Sequence, residues 1–264
     1  AIIHLAAESH VDKSISIPFE FIQSNIIGTF NLLNAANLHF RNLSHERKSS
    51  FRFLHVSTDE VYGSLGEKGY FSEKSQYSPN SPYSASKASS DHLVNAWNKT
   101  YGLPTLISNC SNNFGPWQFP EKLIPLTIIN ALSNKEIPIY GMGENIRDWL
   151  FVYDHVEALI TILKKGQIGE KYCIGAKNEI KNIDLVIKIC ELLDKKVNSR
   201  ASYKNLINFV DDRPGHDIRY AIDPGKILKE LNWEPKYSFL DALNITVDWC
   251  IENQNWLRKK SNLI

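Results

Sequence analysis

Short apolar stretches alternate with helical patterns through the first two thirds of the chain, and this alternation constrains the fold more than any other feature. The stretches that read as strands are residues 1–7, 51–57, 105–108 and 171–174. The main helical patterns between them are residues 18–40, 82–101 and 154–164. Strands separated by helices favour parallel pairing with helices on both faces of the sheet. The sequence therefore predicts an α/β protein with a doubly wound parallel sheet.

The later part of the chain has a different pattern, in which short strands mix with helices. It predicts a smaller C-terminal α/β lobe. We place the boundary near Pro116, with residues 1–116 as the larger domain, residues 117–264 mainly in the smaller lobe, and chain exchanged between the two. The chain opens on a buried-strand pattern without a Met, whereas a parallel sheet needs neighbouring strands and covering helices. We therefore expect that an N-terminal portion precedes Ala1.

The composition is that of an ordinary globular protein and excludes several classes of function. The 264 residues carry 30 basic and 29 acidic side chains, so there is no basic field of the kind that binds nucleic acid. Four widely spaced cysteines form no CxxC, which predicts reduced thiols and no metal site. No apolar run approaches the roughly 20 residues that span a bilayer, and no signal-like segment opens the chain. We expect a cytoplasmic protein without membrane or nucleic-acid partners.

Tyr83 and Lys87 are four residues apart in the helix predicted from Pro82 to just before Gly102. This spacing puts the phenol and the ammonium on one helix face, one turn apart. A tyrosine has an ordinary pKa of about 10, and an adjacent ammonium favours the phenolate, so we expect Lys87 to lower the pKa of Tyr83 and make it a base. A lone Tyr-xxx-Lys is often just two surface residues, so this interpretation needs support from the rest of the chain.

Thr58, Asp59 and Glu60 give that support, because they follow directly on the strand predicted at residues 51–57. In an open α/β sheet the carboxyl ends of the strands line the ligand crevice. Two adjacent carboxyl groups there can divide acid and base work if their surroundings separate their pKa values. Without the Tyr-Lys pair, a solvated loop or a helix N-terminus would be the favoured interpretation of Asp59 and Glu60.

A second strand end and two arginines add candidate ligand contacts. The strand at residues 105–108 leads to a polar turn with Asn112 and Asn113, which are either crevice residues or simple turn formers. Arg147 and Arg213 suit a diphosphate, because planar guanidinium groups bind oxyanions in pairs. The alternative for each arginine is an ordinary salt bridge with a neighbouring acid.

Taken together, these residues occur in an order that resembles the extended short-chain dehydrogenase/reductase family and, within it, the dTDP-glucose 4,6-dehydratases. The resemblance covers essentially the whole chain and is carried by the strings HLAAESHVDKS, STDEVYG, YSASKASSDHLV and DRPGHD. Together these strings are far more specific than any single motif. The resemblance implies a Rossmann-like fold, NAD as cofactor, a nucleotide sugar as substrate and a homodimer joined through the helices at residues 18–40 and 82–101.

The same resemblance implies a role for each catalytic candidate in the loss of water from dTDP-glucose, which gives dTDP-4-keto-6-deoxyglucose for deoxysugar synthesis of the rhamnose type. Tyr83 would take the proton of the sugar C4 hydroxyl as hydride passes to NAD, with Thr58 hydrogen-bonded to that oxygen and Lys87 assisting. Glu60 would then remove the C5 proton while Asp59 protonates the departing C6 hydroxyl. Hydride finally returns to C6, so there is no net oxidation.

Binding residues are implied by position in the same way. Those that match the cofactor site are Leu5, Ala6, Ala7, Ser24, Tyr83, Lys87 and Asn113. Those that match the substrate site are Ser9, Thr58, Asn112, Lys122, Leu123, Pro138, Ile139, Tyr140, Arg147, Asn182, Asp212, Arg213, Pro214, Gly215 and His216. The family's glycine-rich turn, whose backbone donors hold the cofactor pyrophosphate, does not occur in this sequence, and we expect it in the portion that precedes Ala1.

Two other interpretations stay open. Another nucleotide-sugar enzyme of the family, such as a 4-epimerase or a decarboxylase, would use the same Tyr83 and Lys87. The Asp59-Glu60 pair speaks against a simple 4-epimerase, since that chemistry expels no water. A truncated, non-catalytic protein that binds a nucleotide sugar is the other alternative, because the glycine-rich turn is missing. The sequence leaves the preferred nucleotide base undecided.

Overall fold

The computed structural model describes residues 1–198 and 201–261. Its strands are β1 (Ile2–His4), β2 (Phe53–Thr58), β3 (Thr105–Cys110), β4 (Asn112–Phe114), β5 (Ile137–Tyr140), β6 (Ile146–Phe151), β7 (Lys171–Ile174), β8 (Glu179–Lys181) and β9 (Ile207–Val210). Its α-helices are α1 (Val11–Ser16), α2 (Pro18–Phe21), α3 (Gly28–Arg41), α4 (His45–Ser50), α5 (Pro82–Tyr101), α6 (Leu123–Leu132), α7 (Val152–Lys165), α8 (Asn182–Val197), α9 (Gly225–Leu231), α10 (Phe239–Glu252) and α11 (Gln254–Ser261). A π-helical segment (Ile22–Ile27) joins α2 to α3, and short 3-10 helices lie at Asp59–Tyr62 and Tyr203–Leu206.

The main sheet is parallel and contains β1, β2, β3 and β7 in that order. A parallel sheet is buried on both faces, so its central strands carry continuous buried runs, and all six residues of β3 are buried. On one face Phe53 and Ile107 pack with α3 and α5. On the other face Leu54 and Leu106 pack with α7 and α9. The predicted doubly wound α/β fold is confirmed.

Helix α5 begins and ends where local chemistry favours it. The Ser81 hydroxyl accepts from the N–H of Ser84 at 3.1 Å, and the Ser84 hydroxyl accepts from the N–H of Ser81 at 3.0 Å. This capping box satisfies two backbone donors, and Pro82 suits the first turn because no donor is needed there. Gly102 ends the helix in the left-handed region, at φ +70°. The helix predicted at residues 82–101 is confirmed.

The helix predicted at residues 18–40 is interrupted by the π-helical segment. Asn25 in this segment is buried, and its amide donates to the Glu8 carbonyl (3.0 Å) and to Ser86 Oγ (2.8 Å). Its carbonyl oxygen accepts from the N–H of Glu8 at 2.8 Å. A π-bulge is rare and frequently occurs at functional sites. Here it fastens the loop after β1 to α5.

Two stretches that the sequence predicts to be irregular form regular structure. Residues 42–50 are charged and polar in the sequence, which predicts a surface connection, yet they contain α4, whose N-cap is Ser44. Residues 112–114, predicted as part of a polar turn, form β4, which pairs in parallel with β6. In the second case pairing with a distant strand outweighs the local turn preference of asparagine.

The remaining strands form two smaller sheets. One contains β4, β6 and β8, and the other contains β5 and β9. Their core includes Ile128 of α6, Ile189 of α8 and Leu243 of α10. β4 precedes Pro116 but belongs to a smaller sheet, whereas β7 follows Pro116 and completes the main sheet. The chain thus passes back and forth between the two regions, and a domain boundary at Pro116 stays a prediction.

Three further features concern the described part of the chain. No helix in residues 1–198 and 201–261 is long and apolar enough to cross a membrane. In the same ranges, no group of three or more His, Cys, Asp or Glu side chains is placed to hold a metal ion. Cys110, Cys173, Cys190 and Cys250 are all buried and free.

Candidate active site

The carboxyl ends of β2 and β3 open into a cavity of about 520 Å³. Thr58 ends β2, and Asp59 and Glu60 follow it in the first 3-10 helix. Tyr83 and Lys87 reach the same cavity from α5. The structure therefore brings together all five residues that the sequence predicts to be catalytic.

The two adjacent carboxyl groups lie in different electrostatic surroundings. The Thr58 hydroxyl donates to Asp59 Oδ1 at 3.2 Å and accepts from the N–H of Glu60 at 3.3 Å. Burial, followed by the charge of Glu60, raises the pKa of Asp59 well above its usual range. Burial also raises the pKa of Glu60, but the guanidinium groups of Arg213 and Arg147 oppose that rise. The protonated form is thus favoured more strongly for Asp59 than for Glu60, on which two guanidinium groups act.

Tyr83 and Lys87 are both buried, and their electrostatics differ from the sequence-based prediction. The Lys87 ammonium donates to the carbonyl oxygen of Val56 at 2.9 Å. Burial, followed by the charge of Glu60, raises the pKa of Tyr83 well above its usual range, and burial lowers the pKa of Lys87. The predicted lowering of the Tyr83 pKa is wrong in this structure, because removal of water from the phenol and the charge of Glu60 outweigh the hydrogen bond of Thr58 that opposes them.

A second cavity, of about 230 Å³, adjoins the first. Glu60, Asn112 and Lys122 line both cavities, so Glu60 faces the two spaces at once. Lys122 Nζ also donates to the carbonyl oxygen of Ser9 at 2.6 Å, which joins the loop after β1 to the chain just before α6. A ligand larger than a single sugar can therefore contact both cavities.

Arg147 and Arg213 bring two guanidinium groups to the second cavity. Arg147 is buried, donates to the carbonyl oxygens of Ile146 and Asp217 at 2.8 Å each, and lies 4.3 Å from the centre of the Tyr220 ring. Arg213 is different, because its Nη1 is buried and has no hydrogen-bond partner in the described part of the chain. Its Nε lies 3.8 Å from Asp12 Oδ1. Arg213 therefore keeps a donor for a ligand, whereas the donors of Arg147 mainly bind the backbone.

Most of the predicted binding residues line one of the two cavities. The larger cavity is lined by Leu5, Ala7, Ser9, Thr58, Tyr83, Lys87, Asn112, Asn113, Lys122 and Leu123. The smaller one is lined by Pro138, Ile139, Tyr140, Arg147, Asn182, Arg213 and His216, and it shares Asn112, Lys122 and Leu123. The predicted residues that lie outside both linings are Ala6, Ser24, Asp212, Pro214 and Gly215.

Asp212 shapes its own loop in this structure. Its Oδ1 accepts from the N–H of Arg213 at 2.8 Å and lies 2.6 Å from His216 Nδ1. Gly215 has φ +67° and passes so close to Asn80 that an added Cβ would lie 2.9 Å from the carbonyl oxygen of Asn80. The loop is therefore held in one shape that brings Arg213 and His216 to the cavity.

The larger cavity has polar atoms that lack partners within the protein. Buried atoms without a hydrogen bond in residues 1–198 and 201–261 include Ser111 Oγ, Asn113 Oδ1, Gln118 Oε1 and His155 Nε2. Buried polar atoms are nearly always hydrogen-bonded, so this cluster indicates a polar ligand. Leu5 and Ala7 add apolar wall to the same cavity. Such a mixture fits a nicotinamide ring with its carboxamide and ribose, and the residues present are therefore suited to NAD.

Several residues of the site were missed in the sequence analysis. Gln118, His155 and Tyr220 line the cavities but belong to no motif that singles them out. Asn25 gave no local signal, because its partners Glu8 and Ser86 are remote in sequence. A fifth missed residue, Asp91, did have a signal, because it lies in the string YSASKASSDHLV four residues after Lys87.

A Tyr-xxx-Lys pair in a cavity at the carboxyl ends of a parallel sheet defines the class of short-chain dehydrogenases/reductases. The model of the family described as GDP-mannose 4,6 dehydratase matches residues 1–246. A dTDP-glucose 4,6-dehydratase of Shigella flexneri is 56% identical over an alignment of 266 positions, gaps included, that covers 97% of this chain and 74% of that protein. The chain belongs to this family of nucleotide-sugar dehydratases, and the resemblance inferred from the sequence is confirmed.

Solved structures agree with this assignment. The dTDP-glucose 4,6-dehydratase DesIV of Streptomyces venezuelae, solved with NAD bound, has a TM-score of 0.88 and 42% identity and covers 98% of this chain and 75% of its own. The dTDP-glucose 4,6-dehydratase of Bacillus anthracis, solved in complex with NAD, has a TM-score of 0.83 and 44% identity at the same coverage, 98% and 75%. The Rossmann-like fold is thus shared along nearly the whole of this chain.

Proposed function

We propose that this chain converts dTDP-glucose to dTDP-4-keto-6-deoxyglucose and water with NAD as cofactor, in the synthesis of deoxysugar precursors of the rhamnose type. The observation that carries the proposal is the single cavity that contains Tyr83, Lys87, Asp59 and Glu60. A Tyr-Lys pair suits removal of a hydroxyl proton, and two carboxyl groups with separated surroundings suit the loss of water. The Shigella flexneri relative is named for this activity.

NAD held by the residues that line the larger cavity would supply a hydride acceptor for C4 and, later in the turnover, a hydride donor for C6. Tyr83 takes the proton of the C4 hydroxyl, and the Thr58 hydroxyl, at the end of β2, hydrogen-bonds the same oxygen. Because burial raises the pKa of Tyr83, its phenolate needs a nearby positive charge, and Lys87 supplies that charge from the next helical turn. The buried position also keeps water away from the reacting oxygen.

The two carboxyl groups take separate roles in the elimination. Burial and the neighbouring Glu60 keep the pKa of Asp59 high, so Asp59 carries the proton that the departing C6 hydroxyl needs. Burial raises the pKa of Glu60 less than that of Asp59, because Arg213 and Arg147 oppose the rise, so Glu60 is assigned the removal of the C5 proton. Asp59 gives its proton to the C6 hydroxyl, which leaves as water, and Glu60 returns the proton it took to C5 when hydride reaches C6. The C4 hydroxyl proton held by Tyr83 balances the one that Asp59 gave up, so the net change is the loss of one molecule of water.

The smaller cavity holds the nucleotide diphosphate in this proposal. The unpaired, buried Nη1 of Arg213 is a donor for a phosphate oxygen, and Arg147 adds positive charge beside it. Guanidinium groups bind phosphate through parallel hydrogen bonds. Pro138 and Tyr140 offer flat surface to the base in the same cavity. The choice of thymine as the base rests on the named activity of the relatives.

The alternatives are another epimerase or decarboxylase of the family and a binding protein without catalysis. A 4-epimerase expels no hydroxyl group and needs no buried acid, so the raised pKa of Asp59 favours a dehydratase. A binding protein has no use for a buried Tyr-Lys pair beside that acid. Both observations support the dehydratase over its rivals.

Incubation of the protein with NAD and dTDP-glucose tests the proposal, with the 4-keto-6-deoxy product as the readout. Tyr83→Phe should abolish oxidation at C4, whereas Glu60→Gln should permit it, seen as reduced NAD in a single turnover, and slow the elimination. Tyr70→Phe is the control, because Tyr70 is 53% exposed and lines neither cavity. Equal loss of both steps in the two variants would reject the assigned roles, and an epimerised sugar as the product would favour the 4-epimerase.

We also propose that the protein is a homodimer and works in the cytoplasm. Large apolar side chains are exposed along α2, the π-helical segment and α3, namely Phe19, Ile22, Ile27, Phe30 and Leu38. A contiguous exposed apolar surface is typical of a protein interface. Four free cysteines are compatible with a reducing compartment. Light scattering of the purified protein distinguishes one copy from two.

A further inference from the structure

Asp91 is a buried carboxylate that none of the roles above uses. It lies on α5 four residues after Lys87, and only 2% of it is exposed. Three donors converge on its Oδ2: Ser57 Oγ at 2.9 Å, Tyr77 OH at 2.8 Å and Asn109 Nδ2 at 3.1 Å. Hydrogen bonds of this kind stabilise the charged form of a carboxyl group. The site therefore maintains a negative charge inside the protein, on α5 one helical turn after Lys87.

His55 and Lys87 are the basic groups that act on this carboxylate. His55 Nε2 lies 3.3 Å from Asp91 Oδ1. Burial, followed by the charge of Lys87, lowers the pKa of His55, so its imidazole is neutral near pH 7. Burial raises the pKa of Asp91, but the contacts of His55 and then the charge of Lys87 lower it overall. Lys87, one helical turn before Asp91 on α5, therefore supplies positive charge to this carboxylate.

The other elements around this pair carry further ionisable groups, one of which, Lys171, is a second cation that the charge of Asp91 reaches. They are His4 on β1, Cys110 on β3, Tyr77 in the loop before α5, and Lys171 and Cys173 on β7. Burial lowers the pKa of His4 to about 4 and raises the pKa of Cys110 to about 12, so both are neutral near pH 7. Burial also raises the pKa values of Tyr77 and Cys173. Lys171 is half-buried and lies over the Tyr77 ring, 4.6 Å from its centre.

Lys87 depends on Asp91 in turn. Its side chain has a hydrogen bond to the Val56 carbonyl at 2.9 Å, which binds the neutral amine as well as the ammonium. Burial lowers the pKa of Lys87, and Asp91 is the foremost charge that opposes this effect. A buried ammonium without an opposite charge loses its proton readily. The Tyr83 phenolate would then lack its neighbouring positive charge.

We propose that Asp91 is a positioning residue that keeps Lys87 as an ammonium in the catalytic cavity, while Ser57, Tyr77 and Asn109 hold the Asp91 carboxylate in place. The charge reaches Tyr83 through Lys87 and not through contact of Asp91 with the sugar. The catalytic consequence rests on the proposed function, whereas the effect on Lys87 concerns this chain alone.

Asp91→Asn tests the proposal, because the amide keeps the size of the side chain and removes its charge. NMR of protein labelled with 13C at lysine Cε follows the protonation of Lys87, whose signal is identified by its loss in Lys87→Met. In Asp91→Asn, Lys87 should lose its proton at a pH lower by roughly one unit or more. The alkaline limb of kcat/KM for dTDP-glucose should shift the same way. A Lys87 titration that does not move would overturn the proposal.

Tyr77→Phe is the matched control, because it removes one hydrogen bond to Asp91 and leaves the carboxylate. It should lower stability without moving the Lys87 titration, and Asp91→Glu, which restores the charge, should reverse most of the shift seen with Asn. If Asp91→Asn does not fold, Lys87→Met is compared with Lys87→Met/Asp91→Asn in urea. The double variant should unfold at the higher urea concentration, since it no longer buries a lone charge, and the opposite order contradicts the proposal.

The Lys87 titration needs no substrate, so it decides the role of Asp91 separately from the dehydratase activity. A shifted titration in a protein that forms no 4-keto-6-deoxy product would support the charge pair and reject the proposed function. If the wild type forms the normal product but the Lys87 titration does not move in Asp91→Asn, the proposed function is supported and the role of Asp91 is rejected.

Discussion

Replacement of Gly63 by alanine should destabilise the protein more than replacement of an exposed glycine elsewhere in the loop that runs from Gly63 to α5. Gly63 directly follows the 3-10 helix that carries Asp59 and Glu60, and its φ and ψ are +84° and −150°. A side chain at these angles is strained by about 1–3 kcal/mol, because the region is essentially restricted to glycine. An added Cβ would also lie 2.3 Å from the carbonyl oxygen of Ser78. Relief of such overlap requires backbone movement, which costs about 1–3 kcal/mol more.

The same loop offers a matched control in Gly69. Its φ is +96°, but an added Cβ would have nothing within 4 Å. Gly69→Ala should therefore show only the backbone strain, and Gly63→Ala should show both the strain and the overlap. We expect a total loss of about 4 kcal/mol for Gly63→Ala, roughly 2 kcal/mol more than for Gly69→Ala.

Urea denaturation of both variants, followed by far-ultraviolet circular dichroism, measures the two free energies of unfolding. Turnover of dTDP-glucose should also fall more in Gly63→Ala, because the 3-10 helix that holds Asp59 and Glu60 ends at this glycine. Equal losses of stability in the two variants would contradict the expected cost of the overlap, since they would mean that the Ser78 carbonyl moves aside at no cost.

The remaining predictions concern acid stability and the loop after β1. Burial lowers the pKa of His155 to about 4, below the 6.5 of an exposed histidine. The unfolded chain therefore takes up the proton first as the pH falls. As a result the free energy of unfolding decreases between about pH 6.5 and pH 4. The loss from this group approaches about 3 kcal/mol, and His155→Gln should show a smaller difference between urea midpoints at pH 7.5 and pH 5. Asn25→Ala removes three hydrogen bonds to Glu8 and Ser86 and should lower the free energy of unfolding by about 2–3 kcal/mol. The same variant should also bind NAD more weakly, measured by fluorescence titration. An unchanged NAD affinity would mean that the loop does not depend on Asn25.

Much of the fold could be predicted from the sequence because it rests on short-range patterns. The buried runs of β2 and β3 and the helices between the strands predicted a parallel sheet, and the structure has one. The misses lie where a distant segment intervenes. Asn112 and Asn113 lie in a predicted polar turn but form β4, because β6 offers their backbone hydrogen bonds, and both line the larger cavity, which agrees with the crevice alternative. The π-helical segment was missed because Asn25 bonds to Ser86, 61 residues away.

The candidate site divides in the same way. The strand-end position of Asp59 and Glu60 and the spacing of Tyr83 and Lys87 were legible as local patterns, and the structure places all four on one cavity. The electrostatics were not legible, because the pKa of a group depends on the water that the surrounding elements exclude. The spacing of Tyr83 and Lys87 predicts a lowered pKa for Tyr83, and burial raises it instead. The roles of these residues stay proposals until the variants are measured.

Local sequence is enough to set the helix that carries Tyr83 and Lys87. Ser81, Pro82 and Gly102 set its ends through contacts with their own neighbours, so the face shared by Tyr83 and Lys87 follows from local chemistry. Only the tertiary structure decided which distant groups meet that face. Tyr77 and Asn109 reach Asp91 from 14 and 18 residues away, and hydrogen bonds of this kind form only when separate segments pack and exclude water.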